Sequence, residues 1–154
     1  MTNEEYMAEA IKEAYDGIKK KDGGPFGCVV VKDGKIIGRG HNQVLANQDP
    51  TCHGEMQAIR DACKNLETFD LSGCTLYTSA EPCPMCLGGI LWSNITQVYY
   101  GCTVDDTDSI GFRDTKFYDC FYGKNSLLKK TELCRKESLK LFDDYKADNE
   151  NKRY

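Results

Sequence analysis

Near the start of the chain, Met7, Ala10, Ile11, Ala14 and Ile18 share one face at helical spacing, and Thr2-Asn3-Glu4-Glu5 ahead of them can close a capping box. The spacing predicts an amphipathic helix that ends in a Lys-rich stretch before Gly23-Gly24-Pro25. The pattern then changes period. Phe26 to Val31 and Lys35 to Arg39 are β-rich runs joined by Asp33-Gly34, a pair suited to the left-handed positions of a tight hairpin turn. Asn42 to Pro50 is polar and reads as a loop. Met56, Ile59 and Cys63 restore the helical step over about His53 to Cys63, Thr75 to Thr78 reads as a short strand, and a helix begins near Pro84.

Thr96 to Gly101 reads as a further strand, so the Thr75 and Thr96 strands with the helix between them form a βαβ unit. That unit requires a parallel pair and a right-handed crossover. Joined to the antiparallel hairpin, it predicts a mixed sheet. Beyond Gly101, Asp105 to Asp114 is polar, Lys116 to Tyr122 is aromatic-rich, and Leu139, Phe142 and Tyr145 recur at helical steps within Arg135 to Ala147. The stretch from Asp148 to Tyr154 is polar enough to be read as frayed. With no repeat and no low-complexity linker, 154 residues read as one domain spanning 1–154.

Charge narrows the partners. Asp and Glu (24) outnumber Lys and Arg (20), so no global field draws nucleic acid or an anionic membrane. No apolar run approaches the roughly 18 residues of a membrane span, and the N-terminus lacks a charged segment followed by an apolar one. The expectation is a soluble, unexported, cytoplasmic protein. Nine cysteines are an odd count in a chain large enough for its own core, which favours reduced thiols over a disulfide scaffold. Cys28, Cys63, Cys74 and Cys102 lie in or beside apolar segments and read as small buried hydrophobes, and Cys120 and Cys134 as structural.

Cys83 and Cys86 differ. They stand at i and i+3 in Pro82-Cys83-Pro84-Met85-Cys86, at an expected helix start where the N-terminus favours thiolate. His53-Gly54-Glu55 opens another helix. Together His53, Cys83 and Cys86 make a three-ligand set that leaves a fourth tetrahedral position open to water, as in catalytic zinc. A lone C-x-x-C also fits structural zinc or redox chemistry. Structural zinc, however, wants a fourth Cys or His; the only other histidine, His41, lies at the end of the hairpin, and redox use needs no His-x-Glu partner. H-x-E with P-C-x-x-C is the signature of zinc deaminases, in which the Glu is no ligand but the general acid and base. Glu55 takes that role, unless it is merely a first-turn carboxylate favoured by the helix dipole.

At these residues the chain resembles the cytidine-deaminase-like superfamily. Along nearly its whole length it resembles the bacterial guanine deaminases of that group, through Gly24-Pro25-Phe26-Gly27, His41-Asn42, Asn47 to Thr51, Tyr77 to Gly88, Gly111-Phe112 with Asp114, and Asn151 to Tyr154. The resemblance implies an α/β fold, a three-layer α/β/α sandwich around a mixed central sheet, one Zn2+ per chain, and a homodimer. It further implies that the helix and tail over about 135–154 are exchanged between subunits. Carried over to this sequence, it makes Asn42 a hydrogen-bonding partner of the base, Asp114 a carboxylate near the leaving amino group, Phe26 and Trp92 pocket walls, Gly54 a substrate-binding position and Tyr154 a lid. Read by residue type alone, Asn42 also fits a turn, Asp114 a solvated loop, and Phe26 and Trp92 a core. Cys52-His53-Gly54-Glu55 departs from the more usual Ala-His-Ala-Glu, and Gly in that place also occurs in fungal-type cytosine deaminases.

The zinc motif with Glu55 favours hydrolytic deamination of a small-molecule nucleobase, and the resemblance implies guanine, converted to xanthine and ammonia. Three alternatives stay open: a tRNA adenosine deaminase, a deaminase of cytosine, guanosine or another amino-heterocycle, and a non-catalytic zinc module. The first needs a basic face, yet Arg135, Lys136, Lys140 and Lys146 alternate with Glu137, Asp143, Asp144 and Asp148. The last has no use for Glu55.

Overall fold

The computed structural model describes residues 1–154. Helix α1 (Asn3–Lys20) starts at the expected capping box, with the Thr2 side chain accepting from the Glu5 N–H and the Glu5 carboxylate accepting from the Thr2 N–H. Strands β1 (Gly27–Lys32) and β2 (Lys35–His41) form the antiparallel hairpin, and its turn residues Asp33 and Gly34 both take positive φ, 49° and 76°. Helix α3 (Gly54–Leu66), strand β3 (Thr75–Ala80), helix α4 (Pro84–Trp92) and strand β4 (Gln97–Cys102) follow. The sheet order is β2-β1-β3-β4; β3 pairs antiparallel with β1 and parallel with β4, the mixed arrangement that the βαβ unit predicts.

Strand β1 explains the layers. Its side chains alternate between two faces, and both are buried. Cys28 and Val30 face one way, into a core with Ala58, Ile59 and Ala62 of α3 and Ile90 of α4; Val29 and Val31 face the other, against Tyr6 and Ala10 of α1 and Tyr77 of β3. Helices thus cover both faces of the sheet in an α/β/α sandwich. Burying the aliphatic side chains of these two clusters stabilises the fold by about 1.5–3 kcal/mol for each Val, Leu or Ile.

Three segments depart from the sequence reading. The polar loop after β2 contains one helical turn, α2 (Val44–Asn47). The polar stretch after Gly101 holds a short helix, α5 (Val104–Ser109), nucleated by a second capping box in which Thr103 and Asp106 exchange hydrogen bonds. The aromatic-rich stretch is helix α6 (Asp114–Phe121). Helix α7 (Arg135–Ala147) has the expected bounds, but none of its residues is buried. All nine cysteines are free thiols, with Cys28 and Cys74 buried as expected; Cys102, at the end of edge strand β4, and Cys134 are exposed instead. No helix is long and apolar enough to cross a membrane.

Candidate active site

Two helix starts meet at the centre of the site. His53 is the N-cap of α3, in extended conformation, and Cys83 is the N-cap of α4, with Pro84 in the first turn where a missing N–H is harmless. The i, i+3 spacing brings Cys86 beside Cys83. Nδ1 of His53 lies 3.5 Å from each sulfur, and the three ligand atoms all fall within 4.8 Å of one another. One imidazole and two thiols that close together, at two helix N-termini, fit a tetrahedral zinc with its fourth position open.

In the metal-free site the three ligand groups share protons among themselves. The hydrogen bond from Cys86 holds the Cys83 thiol down, to about 4, and His53 adds to the effect. Cys86 is pushed up, first because its hydrogen serves Cys83 and then by burial. The hydrogen bond to Cys83 raises His53, against its own burial. Glu55, in the first turn of α3 and 5% exposed, is pushed up to about 7, mainly by burial. A carboxyl poised near neutrality beside a ligand set can both accept and return a proton.

The ligands open onto a cavity of about 580 Å³, within the range of small-molecule sites. Phe26, Asn42, Glu55 and Asp114 all line it, together with His53 and Cys83. Asn42 is 5% exposed, and its side-chain oxygen accepts from the Val44 N–H, which turns the amide nitrogen loose for a ligand acceptor. The chain before β1 seals this corner: a Cβ at Gly23 would collide with the Asn42 side chain. Phe26 meets Phe112 edge to face at 4.9 Å. Asp114, raised first by burial and then by the Cys83 charge, opens α6.

Three expected site residues lie elsewhere. Gly54 is buried behind the cavity, against the Phe26 backbone, so only its own backbone can meet a ligand. Trp92 and Tyr154, 68% and 81% exposed, do not line the cavity of their own chain; their rings pack against each other at 5.9 Å, with Phe69 also against Tyr154. Sequence reasoning gave no role to Phe112, Arg113 or Phe117, which do line the cavity. The available signal was helical spacing: Phe117 follows Asp114 by three residues and so shares its face of α6. Arg113, the cation of this wall, stacks over the Phe117 ring at 4.9 Å.

Residues 1–102 match the family defined by the cytidine and deoxycytidylate deaminase zinc-binding region, the stretch that carries His53, Glu55, Cys83 and Cys86. The chain belongs to this deaminase family. Guanine deaminase of Bacillus subtilis is 47% identical over 118 residues, covering 77% of this chain and 76% of that protein. A crystal structure of guanine deaminase from Bacillus subtilis superposes with a TM-score of 0.91 at 38% identity, covering 100% of this chain and 99% of the other. The lower figure takes in the whole chain where the higher one covers 118 residues. The tRNA-specific adenosine deaminase of Bacillus subtilis is 46% identical over 102 residues, 66% of this chain and 63% of that protein. The sandwich found here is the cytidine-deaminase-like fold, and the protein is a hydrolytic deaminase with a zinc-binding domain.

Proposed function

We propose that this deaminase hydrolyses guanine to xanthine and ammonia, with one zinc per chain held by His53, Cys83 and Cys86. The observation that carries the reading is the wall made by Phe112, Arg113, Asp114 and Phe117. It lies beyond the zinc-binding region, in the part of the chain where likeness to the guanine deaminase structure continues to the end.

When bound, zinc lowers the pKa of a water towards about 7 and so makes a nucleophile available at neutral pH. Phe26 and Phe112 present ring faces and edges to a planar base, and the Asn42 amide nitrogen donates to one of its acceptors. Glu55 accepts the proton of the attacking water and passes it to the ring nitrogen beside the amino-bearing carbon, which makes that carbon electrophilic. Glu55 then takes the second proton of that water, from the hydroxyl now on the carbon, and delivers it to the amino group as the carbon–nitrogen bond breaks, while Asp114 faces that group from α6. Water and guanine thus account for xanthine and ammonia without further reactants.

The same reading includes a homodimer in which about 135–154 is exchanged. Helix α7 carries Leu139, Leu141, Phe142 and Tyr145, all exposed, and a 13-residue helix without a packing partner is marginal in water. Covering it against a second copy supplies that partner and carries Tyr154 to the neighbouring cavity. The test of function is ammonia release from guanine, guanosine, cytosine, cytidine, adenine, adenosine and a tRNA anticodon stem-loop. Guanine is expected to respond alone; release from the stem-loop with none from guanine overturns the reading.

A further inference from the structure

The one histidine outside the ligand set is held on both sides. His41 ends β2, directly before Asn42, and its ring is half-buried between α1 and the loop that follows α1. Nδ1 lies 3.1 Å from the Glu13 carboxylate and Nε2 lies 2.7 Å from the Asp22 carboxylate. Each ring nitrogen therefore faces a carboxylate oxygen within hydrogen-bond distance, which fixes the plane of the ring. Arg39, two residues earlier on β2, reaches Glu9 at 2.8 Å and Glu13 at 3.7 Å, so Glu13 is shared between the guanidinium and the imidazole. The fit is close, since a Cβ at Gly17 of α1 would lie 2.6 Å from the His41 ring.

What the ring holds is the pocket wall. Asp22, fixed by its side chain to His41, uses its backbone carbonyl to accept from both the Leu45 and Ala46 N–H groups at 3.0 Å, which pins the turn α2. The residues that follow Asp22, Gly23 and Gly24, and those that follow His41, Asn42, Val44 and Leu45, all line the cavity. Asn42 is fixed from a third direction by its own N–H, which donates to the Phe26 carbonyl. Two loops that share no regular pairing are therefore joined by one imidazole together with the two backbone hydrogen bonds to the Asp22 carbonyl.

We propose that His41, bridging Glu13 and Asp22, is a positioning residue that sets the Asn42 corner of the pocket and so tunes base binding while leaving the chemical step alone. Nothing in it touches the ligand set, so its loss leaves zinc in place. The proposal rests on the guanine reading only for its choice of substrate.

The test compares wild type, His41→Gln, Asn42→Ala and the double variant, purified with zinc. His41→Gln is expected to raise KM for guanine about tenfold, the scale of one lost charge-assisted hydrogen bond, with kcat within about threefold and zinc content unchanged. Amide hydrogen exchange at Leu45 and Ala46 is expected to quicken about tenfold, because the Asp22 carbonyl that accepts from both is no longer held. Adding His41→Gln to Asn42→Ala is expected to cost less than about twofold more, since the two act through one contact. Should His41→Gln fail to fold, Asp22→Asn, which keeps an acceptor and removes the charge, is measured in the same way. Unchanged exchange at Leu45 and Ala46, or fully multiplicative losses in the double variant, overturns the clamp. A wild-type enzyme that releases no ammonia from guanine overturns the functional reading instead, and the exchange measurement still decides the clamp.

Discussion

The Tyr118 hydroxyl of α6 donates to the backbone carbonyl of Pro82, one residue before the ligand Cys83. Helix α6 also carries Asp114 and Phe117 into the cavity, so a single hydrogen bond ties the substrate wall to the metal loop. Burial pushes the phenol up to about 12, which keeps it a donor throughout the physiological range. Tyr118→Phe keeps the ring and deletes the bond. It is expected to lower stability by about 1 kcal/mol, or roughly 2–4 °C in Tm, and to speed zinc loss to a chelator severalfold. A chelation rate equal to wild type would show that the bond holds α6 without supporting the loop.

Glu55 separates metal binding from proton transfer. Because its carboxylate belongs to no ligand set in this geometry, Glu55→Gln is expected to retain zinc by elemental analysis while turnover falls by about 10²–10⁴-fold. Metal and activity lost together would make Glu55 structural.

The zinc-free protein offers a second measurement on the same residue. Burial raises Glu55 from 4.5 to about 7, so the folded state holds this proton more tightly than the unfolded chain. Its contribution is fully present below about pH 4.5 and is lost as pH rises to about 7, at a cost of up to about 3 kcal/mol. Cys83 runs the other way, since its depressed value of about 4 adds stability as pH rises towards the ordinary thiol range. The total slope therefore conceals Glu55, and the difference between variants exposes it. Glu55→Gln is expected to melt several degrees above wild type at pH 8 and to match it at pH 4. Equal melting at both pH values would mean that the carboxylate is hydrated in solution.

Asn42 is both a turn residue and a pocket residue, and its two side-chain atoms divide the roles. The oxygen serves Val44; the nitrogen has no protein partner. Asn42→Ala is expected to reduce kcat/KM for guanine by about ten- to a hundredfold, with Tm falling by only a few degrees. A large loss of Tm with kinetics unchanged would leave only the turn.

These contrasts show why some parts of the molecule are legible in its sequence. The hairpin was readable because Asp33-Gly34 is a local signal, and the ligand set because His53, Cys83 and Cys86 lie at helix starts whose spacing is chemical. The mixed sheet was readable from the hairpin and the βαβ unit, whereas the sandwich came only through the family resemblance and is explained by β1, an apolar run buried on both faces. Helix α5 escaped because Thr103 and Asp106 cap a segment with almost no apolar face, and Phe112, Arg113 and Phe117 because a pocket wall is set by how α6 docks. His41 was visible only as half of the matching pair His41-Asn42 and as a residue that could not complete a zinc site. Its two carboxylate partners come from α1 and the loop after it, 28 and 19 residues away, and no local pattern links them.

The tail is where composition and structure part most clearly. Asp148-Asn149-Glu150-Asn151-Lys152-Arg153 buries little apolar surface and by composition alone is disordered. Yet it folds back on α7: the Tyr145 hydroxyl donates to the Lys152 carbonyl, the Asn151 amide donates to the Tyr145 carbonyl, and the Arg153 guanidinium stacks over the Tyr145 ring at 4.5 Å. Tyr154 ends beside Trp92 and Phe69, outside its own cavity. A lid must exclude water from the reacting base, and within one chain this ring does not do so. Exchange of α7 between two copies would bring it to the other cavity. Removing residues 151–154 is then expected to lower kcat/KM for guanine by about tenfold or more while zinc content holds, as loss of a closing segment does. A heterodimer of a tail-less chain with an intact Glu55 and a full-length Glu55→Gln chain is expected to recover part of the activity, because the one working site borrows its partner's Tyr154. Wild-type kinetics after truncation would dispose of the lid, and a heterodimer no more active than its truncated parent would dispose of the exchange.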